Sequence, residues 1–358
     1  MTKLVLLDTT KRGKSAQDFE DKLRRLVIGQ EDAIQEIVKA YHADLTGLSP
    51  DGRPVANFLF LGPTGSGKTR IVEATAQALF NDPRAMIKID CAEFQHNHEI
   101  AKLIGSPPGY LGHRETHALL SQETLNKHFT DKVKLSIVLF DEIEKASDAL
   151  WNLLLGILDK GVLTLGDNRK VDFSATMVFM TSNLGAAEMS AMQTPRLGFH
   201  SMPANANLDY KLESRFSQAG VAAARRKFTP EFINRLDSIV VFKPLGQDDL
   251  YRIVNLELEM VRDRIRCAAD DESLTLNVSD GARELLLAEG TDSRYGARHL
   301  KRAIERMVVQ PLANLLATSQ IRRGDTICIT RSDNAKSLTF FRDVRAAEVR
   351  AKVLPLAA

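Results

Sequence analysis

An α/β fold, with a parallel sheet sandwiched by helices and followed by a smaller α+β domain, is what the sequence predicts. Three observations predict it. Short uninterrupted apolar runs at 58–61, 137–140 and 177–180 each stop at polar residues or glycine, the mark of strands buried on both faces, and Met86-Ile87-Lys88-Ile89-Asp90 adds a further strand-like stretch. Segments with helical periodicity separate them, and strands alternating with helices build parallel sheets. Near Pro244-Leu245-Gly246 the pattern changes to one long helix and then short β-like stretches.

Taken in order, residues 1–17 read as a flexible, basic and polar lead-in. Residues 18–45 place apolar side chains at helical spacing, interrupted at Val27-Ile28-Gly29-Gln30. The strand Phe58-Leu59-Phe60-Leu61 ends at a glycine-rich loop. A helix is predicted from Lys68 to Phe80, with Val72, Ala76 and Leu79/Phe80 along one face. Further strands are expected at 86–90, 137–140 and 177–180. Residues 186–227, rich in Ala, Met, Ser and Asn, carry the weakest pattern and predict a long exposed loop. After Gly246, Leu250, Val254, Leu258, Val261 and Ile265 share one helix face, and β-like stretches follow at 274–278, 326–330 and 338–341. The expected organisation is a large domain over 18–245, a small domain over 246–345 and a tail over 346–358.

Composition narrows the function. The 358 residues carry a net charge of +2, which gives no global electrostatic case for nucleic acid or an anionic membrane. Cys91, Cys267 and Cys328 are an odd number without metal-ligand spacing. No segment approaches the ~18 apolar residues of a membrane helix. A soluble protein of the reducing cytoplasm is the expectation.

The chemistry concentrates at Gly62-Pro63-Thr64-Gly65-Ser66-Gly67-Lys68-Thr69, which fits the phosphate-loop pattern G-x-x-x-x-G-K-[ST] at every required position. It lies between a buried strand and a helix, where backbone N–H groups and the helix N-terminus favour phosphate. Lys68 would neutralise phosphate charge and the Thr69 hydroxyl would ligate Mg²⁺. Phe140-Asp141-Glu142 closes the third strand about 70 residues downstream, the usual order of such motifs. Asp141 would hold Mg²⁺ and Glu142 would act as general base toward water. ATP and Mg²⁺ are therefore the expected ligands, and hydrolysis the expected reaction.

These motifs, with VIGQ at 27–30, IGSPPGYLG at 104–112, MTSNLG at 180–185, FTPEFINRLD at 228–237 and YGARHLKRAI at 295–304, resemble the Clp family of AAA+ ATPases. The resemblance is to the second ATPase module of its two-ring members, here as a stand-alone module, and covers most of the chain. It implies an AAA+ fold with large and small domains. It also implies an apolar adenine wall at Val27 and Ile28, a water-positioning Asn183, an arginine finger at Arg235 acting on the neighbouring subunit, and a sensor arginine at Arg298 on the small domain. Arg235 and Arg298 also have plainer readings, as a surface charge at a helix end and as part of a basic helix.

A finger acting in trans implies a ring, by resemblance a homo-hexamer. Gly109-Tyr110-Leu111-Gly112 resembles the pore loop of these relatives, whose aromatic grips an extended, unfolded or tagged polypeptide substrate. Members that feed the ClpP peptidase carry an (I/L)-G-(F/L) tripeptide where this chain has Leu197-Gly198-Phe199, whereas disaggregases such as ClpB lack it. That makes these residues a candidate docking element for a ClpP-type peptidase, the alternative being that they pin the loop to its own surface. The expected function is an ATP-driven protein unfoldase or translocase, peptidase-coupled or free-standing. A nucleic-acid motor on the same core is the competing class, with Arg225-Arg226-Lys227 and the basic stretch 294–306 as its only support. Near-neutral charge and an aromatic channel loop count against it. A switch that binds ATP without hydrolysing it is a third class, opposed by Glu142, Asn183 and Arg235.

Overall fold

The computed structural model describes residue 8 and residues 11–106, 118–193, 206–267, 275–291, 296–322, 324–332 and 337–343. The chain divides into two compact units, Met1–Lys243 and Pro244–Ala358.

The first unit is built on five strands: β1 (Ala56–Leu61), β2 (Ile87–Asp90), β3 (Ser136–Asp141), β6 (Thr176–Ser182) and β7 (Ser238–Val241). A two-stranded antiparallel hairpin of β4 (Val162–Thr164) and β5 (Lys170–Asp172) stands apart from them. The large sheet runs β2-β3-β6-β1-β7 and every pairing in it is parallel. Its faces are sorted by alternation along the strands. Phe58 and Phe60 of β1 join Leu139 and Phe179 in one core with the helices Lys14–Leu26, Glu31–Leu45 and Lys68–Phe80. Leu59 and Leu61 face the opposite core, with Val138, Phe140, Met180 and the helix Asp148–Lys160. Burial on both faces is the reason β1, β3 and β6 carry unbroken apolar runs, whereas β2 at the sheet edge alternates buried and exposed residues.

Parallel pairing also decides where the site forms. The register sets Leu61 beside Ser182 and Phe140 beside Met180. The phosphate loop after β1, Asp141 at the end of β3 and Asn183 after β6 therefore leave three adjacent strands at one edge, the carboxyl edge where ligands of such sheets bind.

The weakly patterned 186–227 region holds two helices that its sequence did not announce, Ala186–Gln193 and Ala206–Lys227, and the residues between them, where the long loop is expected, lie outside the described residues. Small residues blurred the helical period here: Gly220 comes against Met189 and Val241 where a larger side chain would not fit. Periodicity also gave no sign of β7, a four-residue edge strand, nor of the β4–β5 hairpin.

The second unit sets β8 (Thr275–Val278), β9 (Thr326–Arg331) and β10 (Leu338–Asp343) in the order β10-β9-β8, with β8 parallel and β10 antiparallel to β9. The helix Gln247–Cys267 lays Val254, Leu258 and Val261 on that unit's core, as its apolar stripe predicts. No helix among the described residues is long and apolar enough to cross a membrane.

Candidate functional site

The phosphate loop takes the shape its glycines allow. Gly62, Gly65 and Gly67 all have positive φ, and at Gly62 (φ +145°) an added Cβ would lie 2.7 Å from the Phe242 carbonyl oxygen. Lys68 Nζ donates to the carbonyl oxygens of Gly62 and Pro63 at 2.7 and 2.9 Å and to Asn183 Oδ1 at 3.0 Å. Ser66 Oγ donates to Pro63 O at 2.9 Å, closing the loop on itself. The helix Lys68–Phe80 starts at the lysine, so its first N–H groups open toward the loop.

Three more residues converge there. Thr69 Oγ1 donates to Asp141 Oδ1 across 3.4 Å. Asn183 Nδ2 donates to Glu142 Oε1 at 3.4 Å while its Oδ1 accepts from Lys68, so one amide bridges the loop lysine and the glutamate. Glu142 adopts a left-handed backbone (φ 57°, ψ 47°), uncommon for a residue with a side chain. Two further contacts hold it: its N–H donates to Thr181 Oγ1 at 3.1 Å, and Lys145 Nζ donates to its Oε2. The Lys145 hydrogen bond and charge pairing raise that ammonium above the ordinary lysine range.

Asp141 is electrostatically prepared. Burial pushes its carboxyl upward, but hydrogen bonds from Thr181 and Lys88 and the charges of Lys88 and Lys68 outweigh burial and hold it below the ordinary aspartate value. The Thr181 hydroxyl donates to Oδ1, and Lys88 Nζ lies 2.9 Å from Oδ2. The Thr69 hydroxyl and Asp141 carboxylate are hard oxygen donors suited to Mg²⁺. No cluster of three or more His, Cys, Asp or Glu residues able to hold a metal occurs among the described residues, so a bound Mg²⁺ would fill its shell with phosphate oxygens and water. The donors present fit that arrangement.

The other candidates are placed differently. Val27 belongs to the apolar core, and Ile28 beside it is half-buried. Arg235 follows the short helix Pro230–Ile233, whose N-cap Thr229 accepts from Phe232 N–H. Its Nη2 lies 3.2 Å from Glu231 Oε1 and its Nε 3.4 Å from Asp159 Oδ1. Trp151, Phe228 and Phe232 pack ring on ring beneath this turn, with centroids 4.7–5.4 Å apart. Arg298 is exposed on the helix Ala297–Ile304 of the second unit. Cys91 is a buried core thiol. Gly109, Tyr110, Leu111 and Gly112, and likewise Leu197, Gly198 and Phe199, lie outside the described residues.

Sequence reasoning missed three contributors. Thr181 ties Asp141 to the Glu142 backbone, and Lys88 on the edge strand pairs with Asp141. Gln30, 5% exposed, donates from Nε2 to Ser66 O (3.0 Å) and Lys243 O (2.9 Å) and accepts from Lys243 N–H (3.2 Å). It bolts the phosphate loop to the end of the first unit. The VIGQ block pointed to the neighbourhood, but nothing in it separates Gln30 from a surface glutamine.

Residues 53–239, just over half of the chain, match the family model described as "AAA domain (Cdc48 subfamily)", and residues 245–329 match "C-terminal, D2-small domain, of ClpB protein". The chain belongs to the Clp family of AAA+ ATPases. Chaperone protein ClpB of Rhizobium meliloti is 40% identical over 309 residues, covering 86% of this chain and 33% of the relative. ClpB 1 of Parasynechococcus marenigrum is 37% identical over 321 residues, 90% and 34%. Among solved structures, a closed-state reconstruction of Hsp104 with ATPγS and FITC-casein superposes with a TM-score of 0.73 at 30% identity, covering 93% of this chain and 52% of that one. The extended S. cerevisiae Hsp104–casein complex gives 0.76 at 31% identity, with 92% and 53% covered. This Clp-family chain spans about a third of the length of those ClpB relatives and about half of the matched Hsp104 chains.

Proposed function

We propose that this chain is the ATP-hydrolysing motor of a protein-remodelling ring, binding Mg²⁺-ATP and drawing polypeptide through a central channel. The observation that carries the reading is the convergence of Lys68, Thr69, Asp141, Glu142 and Asn183 at one edge of the sheet while Arg235 is held elsewhere. Asn57, whose side chain contacts the Arg235 carbonyl, and Gly62 are five residues apart along β1, about 16 Å at ~3.3 Å per residue. An arginine so placed serves a neighbour's nucleotide better than its own, which favours a ring, in keeping with the family a homo-hexamer.

Each residue has a task. Lys68 exchanges two carbonyls and an amide oxygen for phosphate, a stronger, charge-assisted partner. Thr69 and Asp141 would hold Mg²⁺, which would supply charge neutralisation at the phosphates. Glu142 takes the proton of the attacking water and Asn183 orients that water, a task that suits an amide able to donate and accept. Arg235 of the adjacent subunit meets the charge that develops on the transferred phosphoryl group. Val27 and Ile28 wall the adenine, and Arg298 couples the small unit to nucleotide. Tyr110 grips the substrate chain through its flat apolar face.

The casein bound by the Hsp104 relatives and the chaperone names of the ClpB relatives support a protein substrate and peptidase-independent remodelling. Leu197-Gly198-Phe199 keeps a peptidase-coupled variant in play. One assay separates them: purified protein, ATP and a folded fluorescent substrate with an unstructured tail, with and without a ClpP-type peptidase. Fluorescence lost without peptidase marks a free-standing remodeller. Fluorescence lost only with peptidase, and abolished by Leu197→Ala or Phe199→Ala, marks a protease's motor. If Tyr110→Ala leaves unfolding untouched, the pore-loop role is wrong.

A further inference from the structure

The amino end of β1 carries a polar side chain where a buried sheet has little use for one. Asn57 is fully buried, among neighbours that are otherwise apolar along the strand. Its Nδ2 donates to two backbone carbonyls, Leu158 O at 3.3 Å and Arg235 O at 3.2 Å. Both contacted atoms are acceptors, so the amide nitrogen must face them. Its Oδ1 has no partner among the described residues. The backbone of the same residue is committed to the same turn: Asn57 N–H donates to Asp237 Oδ2 at 2.8 Å, and Asn57 O accepts from Asp237 N–H at 2.9 Å. Arg53 closes the turn through its ion pair with Asp237.

Leu158 and Arg235 are not arbitrary partners. Asp159, the residue after Leu158, carries the carboxylate 3.4 Å from Arg235 Nε. One buried amide thus clamps the two backbone segments whose side chains make that ion pair. A valine, leucine or serine here would satisfy the strand, and none could bridge both carbonyls.

We propose that Asn57 is a positioning residue for the arginine finger, fixing where Arg235 starts its reach toward the neighbouring subunit. This rests on the reading of Arg235 as a finger acting in trans. Strand β1 then has two working ends, a phosphate loop for its own nucleotide and a clamped arginine for the next.

The test uses Asn57→Leu, which removes both donors at similar volume, and Asn57→Ser, which retains at most one and keeps the position polar should the leucine variant fail to fold. Each is assayed for binding of a fluorescent ATP analogue and for ATP hydrolysis, alone and mixed with Lys68→Ala subunits, with Arg235→Ala as the reference. Analogue affinity should stay within about twofold, because the clamp is far from the loop. Hydrolysis should fall on the order of 10- to 100-fold for leucine and less for serine, the cost of misplacing a reacting group by about an ångström. Mixing with Lys68→Ala subunits should restore activity above the sum of the separate proteins, because those subunits lend an intact arginine to an intact loop.

If Arg235→Ala recovers on mixing and the Asn57 variants do not, or if they hydrolyse ATP at the wild-type rate, Asn57 does not position the finger. If Arg235→Ala itself fails to recover, the trans reading falls and this inference with it.

Discussion

The two ends of β1 solve opposite problems. At its carboxyl end the chain must leave room for a ligand, so the backbone turns through glycines with positive φ and polar side chains lean inward on one another. At its amino end the contacts instead fix a turn of the backbone. A buried amide, an aspartate and three aromatic rings lock an arginine's turn against the helix Asp148–Lys160. At the first end, an ammonium is held by neutral oxygens that a phosphate can replace; at the second, backbone carbonyls are clamped by a buried amide that has no such exchange to make.

The sharpest way to break that contrast is Glu142→Gln. Loss of the general base should lower hydrolysis by roughly 10²- to 10⁴-fold while ATP binding persists. Because the braced end is untouched, Glu142→Gln subunits should still complete the sites of Arg235→Ala neighbours in mixed rings. Failure to do so would mean that the ends are not separable.

Gln30→Leu tests the bracing of the loop end. It strips three hydrogen bonds from buried backbone, so a loss of about 2–3 kcal/mol in urea unfolding is expected, with weaker nucleotide binding. Unchanged nucleotide affinity would show that the phosphate loop holds its shape without that bolt.

Thr181→Val keeps the shape and deletes the hydroxyl that serves both Asp141 and the Glu142 N–H. About 1–2 kcal/mol of stability should go, and hydrolysis should fall more than binding, since Glu142 loses the contact that holds its left-handed backbone. An equal fall in both would point to a general packing defect.

The smallest effect is on acid stability. Asp141 titrates below its ordinary value of ~3.9 in the folded protein, so its contribution is present above that value and is lost as pH falls through the depressed one. Lys88→Met removes one cause of the depression and should move the acid-unfolding midpoint upward, measured by circular dichroism. A midpoint that stays in place would mean Lys88 is screened from Asp141 by solvent.

How much of this was legible in the chain follows the same division. The phosphate loop, Asp141 and Glu142 could be read because each sits in a contiguous pattern, glycines at fixed spacing or acids closing an apolar run. The core strands were readable because burial on both faces forbids polar interruption. The two helices in 186–227 were obscured by small residues that packing demanded. Lys88, Thr181, Gln30 and Asn57 left no mark, since each works through a partner more than 35 positions away.

By itself, then, the sequence determined four of the five strands of the large sheet, the nucleotide loop and the acids beside it, because local backbone geometry and strand burial constrain neighbouring residues directly. Only the tertiary structure decided which hydroxyl, ammonium and amides hold those groups, and that the turn carrying Arg235 lies at the far end of the strand from the loop. Those choices depend on strand order and register, which bring together residues whose separation along the chain carries no information about their distance in space.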